Sequence, residues 1–231
     1  MSEIVYLENK KSNNKTLILD LDETLIHTWR NPSFINTYEI YTNPERYKLF
    51  YPQGKHPLCY LIKIENDILW GICRPYLYEF LNFVYSEFEN IIIWSAGIKQ
   101  YVVEVVRQIF IEVGLPMPKF IWSRKNCHLY QNYYHKPISE LITYISNKPY
   151  KMSINYKNTL IIDDKPSTFL ANPNNGILIP EFIVKEDNSI TLDDLTNLND
   201  NCLKKLIDWF NTDEFRNCKD VQLLDKSKIF I

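Results

Sequence analysis

Apolar positions along this chain follow two periods, one typical of helices and one typical of strands. From Pro75 onward they recur at i, i+3, i+4, i+7, i+8 and i+11, which predicts an amphipathic helix that begins near this proline. The same spacing predicts three further helices: from Ile98 to a stop at Gly114, from Pro137, and over 203–210 with a cap near Asp200 or Asn201. Short apolar runs typical of buried strands lie at 16–19, 91–94, 119–122, 159–162 and 177–179.

The order of these elements predicts the fold class. Strands that alternate with helices indicate an α/β domain with a Rossmann-like parallel sheet and helices on both faces. The runs at 47–51, 58–64 and 68–72, the last two joined by a turn at Glu65-Asn66-Asp67, predict a small antiparallel β insertion at about 30–73. We therefore expect an N-terminal extension at 1–15, one domain at 16–212 and a C-terminal tail at 213–231, whose apolar end docks on the body or on another chain.

Composition and charge narrow the classes of partner. The 231 residues carry a net charge of −2 and a pI near 6.1, so we expect no direct nucleic-acid binding and no attraction to an anionic membrane. No apolar stretch approaches the roughly 20 residues of a membrane span. The five cysteines are scattered without a C-x-x-C pair, which favours free thiols and an intracellular, reducing compartment, cytoplasm or nucleus. The five glycines form neither a dinucleotide-binding nor a P-loop motif.

Polar residues follow several of the predicted strands at the point where each strand ends. Asp20 and Asp22 follow the first strand, Ser95 follows the run at 91–94, and Asp163 and Asp164 follow the run at 159–162. Parallel strands bring their carboxyl ends to one edge, so these side chains should share one crevice. Four carboxylates would not all stay ionised there without a cation, which predicts a Mg²⁺ site. The alternative, that each is only a turn residue, requires three independent coincidences.

An ordered set of motifs resembles the haloacid dehalogenase superfamily. Within that superfamily the motifs are similar to those of the phosphatases that act on the C-terminal domain of RNA polymerase II, including the small CTD phosphatases. The resemblance extends from about residue 16 to residue 210. Its motifs are Asp20-Leu-Asp-Glu-Thr-Leu, Arg74-Pro75, Ile91-Ile-Ile-Trp94-Ser95-Ala-Gly, Asn132-Tyr-Tyr-His-Lys136 and Ile161-Ile-Asp163-Asp164-Lys-Pro166-Ser.

The resemblance implies a role for each matching residue in catalysis. Asp20 matches the nucleophile that forms an aspartyl-phosphate, and Asp22 matches the general acid and base. Lys136 matches the lysine that neutralises the nucleophile and the transferring group. Thr24 and Ser95 match hydroxyls that hold the loop and the phosphoryl oxygens.

The same resemblance implies a Mg²⁺ site. Its ligands would be Asp20, the backbone carbonyl of Asp22 and the side chain of Asp164, while Asp163 would act through water or orient Lys136. Two positions depart from the family. Ser95 stands where many relatives carry threonine, a change that keeps the hydroxyl. Asp164 replaces the asparagine of the small CTD phosphatases, although paired acids occur widely in the superfamily.

Other residues admit both a functional and a structural interpretation. We expect Arg74 to be structural rather than a substrate clamp, and Cys127-His128 to be core or loop rather than a metal site. His27 is a candidate for the crevice wall, and His135 for a neighbour of the site. Among the many tyrosines, those of the insertion such as Tyr47 and Tyr51 are candidates for a peptide-binding wall; the others are expected in the core.

The resulting hypothesis is a Mg²⁺-dependent phosphatase of phosphoserine or phosphothreonine in proteins, for which an RNA polymerase II C-terminal tail is one candidate substrate. An insertion of about forty residues is too small for a cap that encloses metabolites, which favours a peptide in an open cleft. Two alternatives stay open: a phosphatase of a small molecule or nucleic-acid end, and a binding module that keeps the fold without the reaction. The sequence does not specify the oligomeric state.

Overall fold

The computed structural model describes residues 13–29, 39–51, 56–111, 113–148, 152–184 and 191–231, so most of the expected N-terminal extension lies outside them. The strands are β1 Thr16–Leu19, β2 Ile26–Trp29, β3 Cys59–Ile64, β4 Asp67–Cys73, β5 Asn90–Trp94, β6 Phe120–Trp122, β7 His128–Tyr130, β8 Tyr133–His135, β9 Thr159–Asp163 and β10 Gly176–Leu178. The α-helices are α1 Pro44–Phe50, α2 Leu77–Glu87, α3 Lys99–Val106, α4 Ile138–Ser146, α5 Leu192–Thr196, α6 Cys202–Phe210 and α7 Asp213–Asn217.

The central sheet has the order β10-β9-β1-β5-β6, and all of its strand pairs are parallel. β1 occupies the middle, with Leu17 paired to Ile91 of β5 on one side and to Leu160 of β9 on the other. The predicted α/β class and all five sheet strands are confirmed. Because β1 is flanked on both sides, the residues that follow it lie at the centre of the sheet edge.

Alternate residues of β1 belong to two separate cores, as the period of two in a strand requires. Leu17 and Leu19 face a core that includes α2, α3 and α6, whereas Ile18 faces a core that includes α4. These residues are inaccessible to solvent. Helices therefore cover both faces of the sheet, in agreement with the prediction.

The insertion is partly as predicted. β3 and β4 form the expected hairpin with its turn after Ile64, and β2 joins them in a three-stranded antiparallel sheet of order β2-β4-β3. The strand-like interpretation of 47–51 is wrong, because this run lies mostly in helix α1. Asn43 caps that helix by accepting from the backbone of Glu45 and Arg46, and Pro44 occupies its first turn. These start signals outweigh the aromatic run.

The chain beyond α6 packs on the body of the protein. Phe215, Val221, Leu224 and Ile229 are buried and join the core that contains α2 and α6. Lys205 of α6 donates to the carbonyl of Phe230 at 3.2 Å. The apolar end of the tail thus docks on this chain. Among the described residues, no helix combines the length and the apolar character needed to cross a bilayer.

Candidate active site

The carboxyl ends of the three central strands meet, and they carry the polar residues that the sequence singles out. Asp20 follows β1, Ser95 follows β5, and Asp163 ends β9. All three are buried. Backbone bonds tie the ends together, since the amide of Asp20 donates to Ile162 of β9 and that of Ser95 donates to Trp122 of β6. The sheet therefore fixes the relative positions of these side chains.

Lys136 lies between two carboxylates of this edge. Its Nζ is 2.6 Å from Asp20 Oδ1 and 2.6 Å from Asp163 Oδ2, and its side chain is 2% exposed. Burial alone would lower the pKa of Lys136, but the two carboxylates outweigh burial and raise it, so the ammonium stays charged. Burial raises the pKa of Asp20, against the opposing effect of Lys136. One cation thus balances only part of the negative charge.

Asp20, Asp163 and Asp164 form a possible metal centre. One ligand oxygen from each lies within 4.8 Å of the others, and all three residues are buried. Thr24 donates to Asp164 Oδ1 at 3.2 Å. The other oxygen, Oδ2, is buried without a hydrogen bond among the described residues, although Lys165 Nζ stands 3.0 Å away at ion-pair distance. A buried oxygen with spare lone pairs beside two carboxylates fits a hard divalent cation.

The side chain of Asp22 lies apart from that metal cluster and engages two hydroxyls. Tyr101 of α3 donates a hydrogen bond to Asp22 Oδ1, and Ser95 Oγ donates toward Asp22 Oδ2 at 3.5 Å. Burial raises the pKa of Asp22 to about 6, with the Tyr101 hydroxyl opposing part of that rise. A carboxyl of this kind can exchange its proton near neutral pH, as general acid–base catalysis requires. The sequence pattern indicates Tyr101 only as part of the apolar face of a helix.

These groups open into one cleft of about 1080 Å³. One wall comes from the three-stranded sheet through Thr28, Ile64, Asp67 and Leu69. The opposite wall comes from the region of the β7–β8 hairpin through Arg124, Asn132, Tyr133 and Tyr134. Tyr47 and Tyr51 do not line this cleft, so their assignment to a peptide-binding wall is wrong. They lie in and just after α1, and their rings stack on each other.

The sequence pattern does not identify the hairpin residues as a wall of the cleft. Arg124 donates to the carbonyl of Ala96 at 2.7 Å, and its guanidinium lies over the ring of Tyr134, 5.7 Å from the centroid. The hairpin itself is short, three residues per strand, and its exposed positions give no clear alternation. The motif Asn132-Tyr-Tyr-His-Lys136 points to this segment but does not show that its tyrosines line a cleft, and the left-handed turn at Gln131 and Asn132 is a weak signal because glutamine is unusual there.

The remaining candidates lie outside the cleft. His27 pairs with Glu23 at 3.2 Å and packs edge-on against Trp29, and it does not line the cleft. His135 is half-buried beside Lys136 but is likewise absent from the cleft wall. Cys127 points its thiol toward the carbonyl of Ser95 at 3.8 Å, and the exposed His128 faces Glu140. Thr24 is fully buried beneath the cleft and contacts Asp164, so its expected phosphate contact stays a prediction.

Arg74 is a buried anchor for the loop that carries Asp22. Its guanidinium donates to both oxygens of Asp200, to the carbonyl of Thr24 at 2.9 Å and to the carbonyl of Pro180 at 2.8 Å. Asp200 in turn accepts from the first amide of α6, at Cys202. Arg74 thus connects the loop after β1 to α6, and its position outside the cleft agrees with the structural interpretation.

We expect Arg74→Met to destabilise the protein by about 3–5 kcal/mol, because it leaves a partly buried carboxylate and two carbonyls without their donor. Urea unfolding monitored by tryptophan fluorescence measures the change. Lys48→Met is the matched control, because it removes an exposed helical ion pair with Glu45 and should change stability by less than about 0.5 kcal/mol. Equal stability of the two variants would contradict the anchoring role.

Comparison with known proteins gives matches along almost the whole chain. The model of the NLI interacting factor-like phosphatase family matches residues 15–222. A probable C-terminal domain small phosphatase of Dictyostelium discoideum is 30% identical over 190 residues, which cover 80% of this chain and 50% of that protein. The nuclear envelope morphology protein 1 of Schizosaccharomyces pombe is 29% identical over 177 residues, which cover 77% of this chain and 31% of that protein. This chain therefore spans half or less of these two relatives.

A solved structure of Fcp1, described as an essential RNA polymerase II CTD phosphatase, superposes with a TM-score of 0.63 and 17% sequence identity. The match covers 92% of this chain and 69% of that chain. At this identity the likeness concerns the fold alone. It agrees with the parallel five-stranded sheet and its two layers of helices.

Proposed function

The chain belongs to the NLI interacting factor-like phosphatase family, and on that premise we propose that it is a Mg²⁺-dependent phosphatase of phosphoserine and phosphothreonine in proteins. Membership of this family supports an activity that hydrolyses phosphate esters with the help of a divalent metal. The observation that carries the proposal is the single cleft that holds Asp20 bound to Lys136, Asp22 at its side, and the carboxylates of Asp163 and Asp164.

In the first step Asp20 acts as the nucleophile. A carboxylate oxygen of Asp20 forms a bond to phosphorus while the bond between phosphorus and the substrate oxygen breaks. That substrate oxygen takes its proton from Asp22. Lys136 keeps Asp20 fixed and supplies positive charge to the transferring group. Ser95 Oγ accepts from the Gly97 amide at 2.9 Å, and its one hydroxyl hydrogen would turn from Asp22 Oδ2, 3.5 Å away, to a phosphoryl oxygen.

In the second step Asp22, now a carboxylate, takes a proton from a water molecule. The water oxygen forms a bond to phosphorus, and the bond from phosphorus to Asp20 breaks, which releases inorganic phosphate and restores the carboxylate of Asp20. Asp22 ends the cycle protonated, so protons and charges balance. A pKa near 6 suits a group that must act as acid and then as base.

Asp20, Asp164, Asp163 directly or through water, and the backbone carbonyl of Asp22 would hold the cation, and when bound it neutralises charge on the phosphoryl oxygens. The chain contributes the rest of the geometry. Thr24 orients Asp164 through Oδ1, so a bound cation would compete for Oδ2 with the exposed ammonium of Lys165, 3.0 Å away. The amide of Lys165 donates to Asp163 Oδ1 at 2.8 Å, while Lys136 engages Oδ2. Asp163 is therefore held at both oxygens, which suits an orienting role.

The size and shape of the cleft favour a polypeptide substrate. A volume of about 1080 Å³ exceeds what a phosphoryl group and a serine side chain occupy, and both walls offer apolar and aromatic side chains. The family relatives named as CTD phosphatases are consistent with this substrate class, which makes a phosphorylated RNA polymerase II tail the first peptide to examine.

The test compares phosphoserine and phosphothreonine peptides with phosphorylated sugars and nucleotides, with Mg²⁺ and with EDTA. We expect kcat/KM for the peptides to exceed that for the metabolites by about 10-fold or more, because contacts along the peptide contribute to transition-state binding. EDTA should abolish turnover, and Mg²⁺ should raise the thermal midpoint of wild type more than that of Asp164→Asn.

Two outcomes would overturn the proposal in different ways. Faster hydrolysis of a metabolite or of a nucleic-acid end would establish the chemistry on another substrate class. Absence of turnover with every divalent metal, together with phosphopeptide binding by a folded chain, would indicate a binding module instead.

A further inference from the structure

Asp22 is hydrogen-bonded to a chain of three hydroxyl groups, to which the reaction described above assigns no role. Tyr101 donates to Asp22 Oδ1. The Tyr101 hydroxyl is also 2.7 Å from Thr28 Oγ1, which is 2.6 Å from the hydroxyl of Tyr60. The chain of contacts thus runs from β3 through β2 and α3 to the carboxylate in the cleft.

The direction of every hydrogen bond in this chain follows from counting hydrogens. Each hydroxyl has one hydrogen to donate. Tyr101 uses its hydrogen on Asp22, so the bond between Tyr101 and Thr28 must be donated by Thr28. Thr28 has then used its own hydrogen, so Tyr60 must donate to Thr28. All three hydroxyls point the same way, toward Asp22, and hydrogen bonds aligned in this manner polarise and strengthen one another.

A glycine makes the outer part of the chain possible. Thr28 of β2, Gly71 of β4 and Tyr60 of β3 occupy one row across the three-stranded sheet. The ring of Tyr60 lies across Gly71, where a Cβ atom would collide with the ring and its hydroxyl. The side chain of Tyr60 therefore crosses the middle strand to reach Thr28. Packing alone does not require a hydroxyl at the end of that ring.

We propose that Tyr101 is the positioning residue of the general acid, and that Thr28 and Tyr60 fix the direction of its hydroxyl. Tyr101 donates to Oδ1 of Asp22, whereas Oδ2 has only a 3.5 Å contact from Ser95 Oγ among the described residues, so Oδ2 is the oxygen available for proton transfer to the leaving oxygen. The leaving oxygen of the substrate then receives its proton from a defined atom. This inference rests on the proposed function, because it assigns a role within that reaction.

A positioning role predicts a dependence on the leaving group. A poorly acidic alcohol or phenol leaves only when it is protonated, whereas a strongly acidic phenol leaves without help. Loss of Tyr101 should therefore slow poor leaving groups and spare good ones. This effect is expected in kcat/KM, which covers only the steps up to release of the leaving group; the second step, in which Asp22 acts as base, is the same for every substrate. A residue that only stabilised the fold or only bound the phosphoryl group would lower kcat/KM for all substrates alike.

The experiment measures kcat/KM for phenyl, para-nitrophenyl and dinitrophenyl phosphate, whose phenols are progressively stronger acids. Wild type is compared with Tyr101→Phe, Tyr60→Phe and Asp22→Asn. We expect Asp22→Asn to lower kcat/KM for phenyl phosphate by about 10²-fold or more, and Tyr101→Phe to lower it by about 10-fold. Tyr60→Phe should give a smaller loss of the same kind, and dinitrophenyl phosphate should be nearly unaffected in the tyrosine variants.

Tyr78→Phe is the matched control, because it removes the hydroxyl of another buried tyrosine, which contacts Cys73 outside the cleft. It should leave the leaving-group dependence unchanged. Thermal unfolding confirms that each variant is folded, and Thr28→Val supplies a second way to break the chain if one tyrosine variant does not fold. A loss of kcat/KM in Tyr101→Phe that is the same for all three substrates would overturn the positioning role. Absence of wild-type turnover, or of any leaving-group effect in Asp22→Asn, would instead overturn the proposed function.

Discussion

Asp20→Asn is expected to abolish turnover while leaving the protein folded. The substitution keeps the size and the hydrogen-bond acceptor that Lys136 contacts, but it removes the negative charge that attacks phosphorus. We expect kcat to fall by at least about 10⁴-fold, the scale seen when a covalent nucleophile is removed. The fall should be similar for good and poor leaving groups, because bond formation to phosphorus is lost for both.

The free energy of unfolding of Asp20→Asn should equal or exceed that of wild type. Wild type holds two carboxylates against one ammonium at this point, and the variant holds one, so buried negative charge decreases. Steady-state hydrolysis of para-nitrophenyl phosphate and thermal unfolding measure the two effects. Asp208→Asn, an exposed change on α6, is the control. A kcat within 10-fold of the wild-type value would be a far smaller loss than the expected one, and it would show that another group attacks phosphorus.

The sequence predicts most of the fold because its elements are long or strongly patterned. The helix that begins after Pro75 and the run at 91–94 each carry their own signal, and the structure has α2 and β5 there. The sequence pattern does not predict α1, because its seven residues include part of an aromatic run that is typical of a strand. Only the start signals at Asn43 and Pro44 indicate a helix there. β2 was missed because His27 and Thr28 interrupt its apolar character. Pairing with β4, a long-range effect, decides that segment.

The residues of the candidate site likewise divide into those that the sequence predicts and those that it does not. Asp20, Ser95 and Asp163 were predictable because the end of a strand in a parallel sheet specifies where a residue lies. Tyr101 was not predictable as a polar contact of the site, because a tyrosine on the buried face of a helix fits a core as well. Its partner Thr28 belongs to a different sheet, so their contact depends on how that sheet packs on α3. Contacts between residues so far apart in the sequence leave no local pattern from which they can be predicted.

Lys136→Met is expected to impair both stability and activity. The lysine is almost fully buried between Asp20 and Asp163, so its removal leaves two carboxylates close together without their counter-charge. Loss of one partner of a buried ion pair costs about 3–5 kcal/mol, and methionine fills the volume without restoring the charge. The transferring phosphoryl group also loses its positive partner, so kcat should fall by about 10²-fold or more.

Urea unfolding with and without Mg²⁺ tests the electrostatic origin of the first effect. A cation held by Asp20, Asp163 and Asp164 supplies positive charge, so Mg²⁺ should stabilise the variant more than it stabilises wild type. Lys165→Met is the control, because this neighbouring lysine is half-exposed and its ion pairs with Asp164 and Glu181 should contribute about 1 kcal/mol at most. If Lys136→Met were no less stable than Lys165→Met in the absence of metal, the buried ammonium would not be what holds the two carboxylates in place.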